Sequence, residues 1–343
     1  NNLHVVGYSE AINERINLNE LKARIHTHDL HPDRVPYVTS YYSSTWGFCM
    51  SENQKKKMPN GEYLAYINAK KEPGRMHYAD LVIKGKSEKE VFFSTYICHP
   101  SMANNELSGP VVASALARHI RQNFPDPQYT YRFAFAPETI GALAYLDENI
   151  SHLRKTVICG FNLSCVGDER CFSHIQSRTG KTLADSALSS ALIGKQGVKT
   201  YSYLERGSDE RQYGAPLVDL PFCGFCRSKY GEYPEYHTDA DNFDIVTADG
   251  LHGSFELMAN IIRAFEFGLH PKSKVIGEPQ LGKRGLSPTL SKIGSRNNLK
   301  TMMNCIAYAD GQNTIFDICN ITQANLAEVL EKMEVLRSHE IIE

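Results

Sequence analysis

The chain has 343 residues, with 37 Lys plus Arg against 39 Asp plus Glu and a formal net charge of −2. That balance excludes a strongly basic nucleic-acid coat and an acidic tail protein, and 42% apolar with 22% charged residues excludes global disorder. No run of about 18 uncharged apolar residues exists, so no helix is expected to cross a membrane.

The length predicts two domains at about 150 residues each. The chain opens on Asn1-Asn2 without an initiator Met, so a preceding segment is expected. Residues 1–36 are polar, with a helix predicted over Asn17–Lys22. Residues 37–76 hold the β-prone run Tyr37–Tyr42, the only tryptophan, Trp46, and an Asn60-Gly61 turn before Tyr63–Ile67. They read as a small inserted β domain. From residue 77 the pattern alternates. Strands are predicted over Ala79–Ile83, Val91–Ile97, Tyr131–Ala136, Val157–Leu163 and Leu217–Phe225. Helices are predicted over Pro110–Arg121, Ile140–Glu148, Thr182–Leu192 and Leu251–Phe267. Alternation of this kind implies an α/β fold, a mixed but mostly parallel sheet sandwiched by helices, built from residues 1–36 and 77–285. His270–Ser295, with four glycines and three prolines, reads as a linker. Beyond it, short helical patterns at Leu299–Ala309, Thr314–Cys319 and Gln323–Ser338 predict a winged-helix-like module over 286–343, with Thr322 or Gln323 capping the last helix. The nine cysteines sit in apolar settings such as Ile97-Cys98 and Ile158-Cys159, as core thiols of a reducing compartment would, so a cytoplasmic location is expected.

Four segments carry chemistry. In Tyr96–Gly109 an apolar strand ends at His99, and a polar loop with Asn105 and Glu106 leads to a helix. A lone His there is most simply a satisfied loop histidine, but Glu106 near the same strand end makes a His/Glu pair suited to zinc. In Phe133–Gly141 a strand ends at Glu138. That residue reads either as a first-turn acid on a helix dipole or as a carboxylate at the sheet mouth, able to take a proton from water. The run Tyr230–Asn242 is dense in acids and tyrosines, with Tyr236 and His237 at its centre. Gly207–Tyr213 contains Asp209, Glu210 and Arg211, either solvated or in contact with substrate. Active sites in parallel sheets gather at the C-terminal strand ends, where His99 and Glu138 are predicted. By contrast Cys223-Gly224-Phe225-Cys226 reads as core packing, and Gly282-Lys283-Arg284-Gly285 as plain linker.

Together the strand–His loop, the strand–Pro137-Glu138–x–x–Gly141 helix start, the Ser208-Asp209-Glu210 run and the late Tyr236-His237-Thr238 resemble zinc aminopeptidases of the M28 type. The resemblance is greatest to a bacterial branch with a small inserted β domain and a C-terminal winged helix, often encoded near surface-polysaccharide genes. It implies a zinc-exopeptidase-like fold and hydrolysis of an amide bond near a substrate N-terminus. Three positions depart from the family pattern: Asn105 stands for the metal-bridging Asp, Thr139 for a ligand Glu, and Ser164 for a ligand Asp. A two-zinc site is therefore not expected. The expected site is one zinc per chain held by His99, His237 and Glu106, with Asp209 as the alternative third ligand and Glu138 as the base. Asp209, Glu210, Arg211, Asn105 and Tyr236 are expected to contact a peptide or amide-containing small substrate. Single-zinc cyclase or deacylase chemistry, or a degenerate site that only binds, are the alternatives. Balanced charge in the last 50 residues favours a protein partner or homo-oligomerisation over DNA.

Overall fold

The structure is a computed structural model that describes residues 2–286 and 295–343. In chain order the strands and helices begin with β1 (Ile12–Asn17), α1 (Leu18–Lys22), β2 (Ile25–His26), β3 (Phe48–Cys49), α2 (Glu52–Lys56) and β4 (Glu62–Ile67). The central part holds β5 (Ala79–Ile83), β6 (Glu90–Tyr96), α3 (Ser108–Asn123), β7 (Thr130–Ala136), α4 (Ile140–Thr156), β8 (Val157–Leu163), β9 (Phe172–Ile175), α5 (Leu183–Leu192), β10 (Val198–Tyr201), α6 (Glu210–Tyr213), β11 (Phe222–Cys226) and α7 (Ala248–Phe267). The chain ends with α8 (Ser295–Tyr308), α9 (Ile315–Thr322) and α10 (Leu326–Ser338).

Seven strands form one sheet in the order β10-β9-β11-β8-β6-β7-β5. The interior pairs β11–β8, β8–β6 and β6–β7 are parallel, while β9–β11 and β7–β5 are antiparallel. This is the expected mixed, mostly parallel sheet. Every residue of β6 is buried, as strands covered on both faces must be. On one face Phe93 stacks between Phe133 and Phe161 of the flanking strands, with ring centroids 5.0 and 5.6 Å away. That face belongs to a core shared with α3, α5 and α7. On the other face Phe92 and Phe222 pack with Tyr145 and Leu146 of α4 and Tyr213 of α6. Among the described residues no helix is long and apolar enough to cross a membrane.

Three expectations change. The segment 37–76 is not a self-contained insert: β4 pairs antiparallel with β1, and β3 pairs with β2, so residues 1–36 belong to the same small β layer. Tyr37–Tyr42 is not a strand; it turns, with Tyr41 at φ 45°. The predicted strand over Leu217–Phe225 starts only at Phe222, because Leu217 and Asp219 take positive φ values of 71° and 50° in a turn. Short β9 and β10 carry no clear alternation and escape a sequence reading.

The C-terminal helices do not stand apart. Their buried residues, among them Ile315, Phe316, Val329, Leu330 and Met333, are continuous with the core on the α5/α7 face. Nor is the segment after α7 a free linker. Lys272, Ser273 and Lys274 donate backbone hydrogen bonds to Glu343, Ala309 and Ile341. Residues 287–294 of the expected linker lie outside the described residues. The cap of α10 is Asn325, whose side chain accepts from Ala327 N–H, rather than Thr322 or Gln323.

Candidate active site

The sheet positions the site by ending its central strands together. After β6 the chain runs through Ile97, Cys98 and His99, reverses at Ser101 (φ 68°), and makes one wide helical turn, Ala103–Leu107, before α3. Asp241 holds this turn. Its carboxylate accepts from Asn104 N–H (2.5 Å), Asn105 N–H (3.0 Å) and the Tyr233 hydroxyl (2.8 Å). Only glycine fits at Gly109, where a Cβ would lie 2.2 Å from Thr95 Oγ1 and 2.6 Å from the Leu163 carbonyl. That absence lets α3 start directly against the strand ends. After β7, Pro137-Glu138-Thr139 leads to α4 with Thr139 at φ 63°, a real outlier for a β-branched residue. His237 is also left-handed, at φ 53°. Such conformations gather at functional sites, where the surroundings enforce them.

These loops converge. The His99 and His237 rings lie 5.2 Å apart, and His99 Nε2 is 3.9 Å from Glu138 Oε2. Tyr236 stacks on His237 at 3.9 Å, and Tyr96 lies 5.2 Å from His99. Tyr37 packs against both imidazoles, at 5.5 and 5.1 Å, and its N–H donates to the His237 carbonyl. The small β layer thus closes one side of the site. A groove of about 750 Å³ runs between Tyr8, Tyr37, Thr39 and Tyr66 of that layer and Cys98 and Pro100 of the His99 loop. Cys98 Sγ lies 3.2 Å from His99 Nδ1 and accepts from Glu138 N–H at 3.1 Å, tying the two loops. Sequence reading missed Tyr37 and Cys98. Only the fold brings Tyr37 back to the sheet mouth, and Cys98 looks like any core thiol.

Burial governs the electrostatics. It lowers His99 to about 4, and with the charge of His99 it lowers His237 to about 3, so both rings are neutral at pH 7. Burial raises Glu106 to about 7. It also pushes the Glu138 carboxyl up, against the pull of Ser208 and Arg211. Asp209 is held well above the usual carboxylate range by burial and by the Glu138 charge.

The expected contacts sort out as follows. Asn105 donates to the Tyr96 hydroxyl at 2.8 Å, at the floor of the site. Asp209 accepts from Thr139 N–H at 2.8 Å, and Arg211 donates to Thr139 Oγ1 at 2.6 Å. Glu210 is removed from the substrate-contacting set. It is fully buried, and Asn162, Gly207 N–H, Ser208 N–H and the Tyr230 hydroxyl all donate to its carboxylate.

The donors suit a borderline cation such as zinc: two neutral imidazoles and carboxylates. His237 Nε2 and Glu106 Oε2 are both buried without a hydrogen-bond partner, which is the state of atoms awaiting a ligand. The donor atoms of His99, His237 and Glu106 do not all lie within 4.8 Å of one another. Among the described residues the one set of three such donor atoms lying within 4.8 Å of one another is elsewhere, at His174, Asp185 and Cys223. That set is structural. Asp185 is the third residue of α5 and closes the capping box with the N-cap Thr182, and His174, Ser177 and Thr182 already donate to it.

A family described as "Domain of unknown function (DUF4910)" matches residues 12–267, and a winged helix-turn-helix family matches residues 270–343. A Clostridium acetobutylicum protein named "Putative polysaccharide biosynthesis protein with aminopeptidase-like domain" is 35% identical over 329 residues, covering 93% of this chain and 73% of its own. The crystal structure of a "putative peptidase" from the same organism superposes with a TM-score of 0.88 at 32% identity, covering 100% of this chain and 78% of that one. A zinc aminopeptidase from Bacillus subtilis superposes at TM-score 0.52 and 16% identity, over 68% of this chain and 62% of its own, and shares the fold.

Proposed function

This chain belongs to the DUF4910 family and has an aminopeptidase-like fold with a C-terminal winged helix, and from that premise we propose that it is a metal-dependent hydrolase cleaving an amide bond near a substrate N-terminus. The observation that carries the reading is the meeting of two neutral imidazoles, His99 and His237, with Glu138 at the sheet mouth. His99, His237 and Glu106 would hold one zinc. When bound, zinc lowers the pKa of water toward about 7 and polarises a carbonyl. Glu138 takes a proton from the attacking water and returns it to the leaving amine; its raised pKa favours both transfers. Tyr236 and Tyr37 fix the His237 ring, and Cys98 orients His99 and Glu138 together. The name of the Clostridium relative supports a substrate from polysaccharide assembly.

A second reading, a non-catalytic binding protein, is favoured by Asn105 and Thr139, whose side chains are hydrogen-bonded as neutral groups where the resembling peptidases carry acids. Zinc analysis and hydrolysis of aminoacyl amides separate the two. Stoichiometric zinc, with hydrolysis abolished by a chelator and restored by zinc, supports the hydrolase. Zinc-supplemented protein that stays folded, metal-free and inert supports the binder.

A further inference from the structure

Next to Thr139, the residue that follows Glu138, lies a second cavity of about 340 Å³, lined by Thr139, Tyr203, Arg206, Arg211, Gln212 and Pro216, among others. That volume is within the range of small-ligand sites. Its two cations, Arg206 and Arg211, make no close ion pair among the described residues, although Arg211 lies in the field of the buried Glu138 and Asp209 carboxyls. Arg132, Arg170, Arg178 and Arg263 each have a carboxylate oxygen within 3.0 Å. Among the described residues neither Arg206 nor Arg211 has one within 4.0 Å. Arg211 spends one nitrogen on Thr139 Oγ1, while its Nε is buried with no partner. Arg206 lies over the Tyr203 ring at 4.5 Å and donates to the Tyr203 carbonyl at 3.0 Å, which fixes an otherwise exposed side chain. Thr139, which lines the cavity, directly follows the base in the chain. Its strained backbone is pinned by Asp209 at the N–H and by Arg211 at the hydroxyl.

We infer that Arg206 and Arg211 bind an acidic group, a carboxylate or a phosphate, carried by the molecule whose amide bond reaches Glu138. Guanidinium forks match both anions through paired, charge-assisted hydrogen bonds. Arg206 is exposed and Arg211 half-buried in the cavity lining, so both present guanidinium nitrogens to such oxygens. That the anion belongs to a substrate rests on the hydrolase reading; the anion site itself does not.

Titration of the full chain by calorimetry, with inorganic phosphate in one arm and succinate in the other, tests the site without any turnover. One of the two anions should bind once per chain and weaken as NaCl is raised. Its affinity should fall about tenfold or more in Arg206→Gln and in Arg211→Gln, with circular dichroism unchanged, and stay constant in Lys70→Gln, a lysine that lines the groove at the small β layer instead. Binding of phosphate alone assigns a phosphoryl group, and binding of succinate alone a carboxylate. Arg206 is exposed, so its variant tests the site even where Arg211→Gln fails to fold. Binding of neither anion, or binding untouched by Arg206→Gln, overturns the inference. Arg-dependent binding in a chain that hydrolyses no amide overturns only the hydrolase reading.

Discussion

Phe316→Ala tests whether the C-terminal helices are part of the core or an appended module. Phe316 on α9 is fully buried, and its ring sits 5.4 Å from Phe265 of α7 at 63°, an edge-on aromatic pair. Truncating a buried Phe costs about 3–5 kcal/mol, of which the aromatic pair supplies about 0.5–1.5 kcal/mol. Phe265 itself packs edge-on against Tyr129 at 5.3 Å, so the loss reaches the layer under the sheet. The chain's single tryptophan, Trp46, offers a probe remote from the mutation, held by the Arg24 guanidinium at 5.2 Å and Phe48 at 6.0 Å. The N-terminal layer around it is coupled to the His99 loop through Met102, which packs with Leu3, Val6, Val35 and Cys49. In urea, the Trp46 fluorescence and far-ultraviolet circular dichroism midpoints should fall together by the equivalent of about 3–5 kcal/mol. A double cycle with Phe265→Ala should recover the pair energy as a coupling. A Trp46 midpoint that stays put while part of the helical signal melts early would refute a shared core and restore a separable module.

Glu138→Gln should leave zinc content and circular dichroism unchanged while lowering turnover about 100-fold or more; equal turnover of wild type and variant would remove the base. Asp185 is held at about 2, because hydrogen bonds from His174, Ser177 and Thr182 outweigh the burial that would raise it. A depressed carboxyl stabilises the fold above its unfolded pKa of 3.8 and loses that contribution as pH falls toward 2, so wild type should exceed Asp185→Asn by about 2 kcal/mol at pH 7 and by much less near pH 2.5. A pH-independent difference in urea unfolding would contradict this. Asp241→Asn turns an amide donor toward the N–H groups of Asn104 and Asn105, and should cost about 2–3 kcal/mol and weaken zinc retention; an unchanged thermal midpoint would show that the loop is held by other contacts.

What was legible in the sequence follows burial. β6, β7 and β8 are rich in apolar residues because both faces are covered, and α3, α4 and α7 carry helical periodicity because one face is. His99, Glu138 and His237 were found because each directly follows a pattern of that kind or stands among dense acids and tyrosines. Tyr37 was not, because its place beside His99 and His237 is fixed by long-range return of the chain rather than by local spacing. Glu210 misled for the opposite reason. An acid in a polar run looks solvent-facing, yet it is the acceptor that four donors inside the fold require. His270–Ser295 reads as a linker from its glycines and prolines, yet the backbone of Lys272, Ser273 and Lys274 is hydrogen-bonded to the C-terminal segment, because such residues mark turns within a packed unit as readily as they mark a linker.

An anomalous-difference map at the zinc edge, from crystals of zinc-supplemented protein, tests the central claim most directly. The account predicts one peak per chain, bonded to His99 and His237 with Glu106 as the third protein ligand. Two peaks at the sheet mouth, a peak at His174, Asp185 and Cys223 instead, or no peak at either place would contradict it.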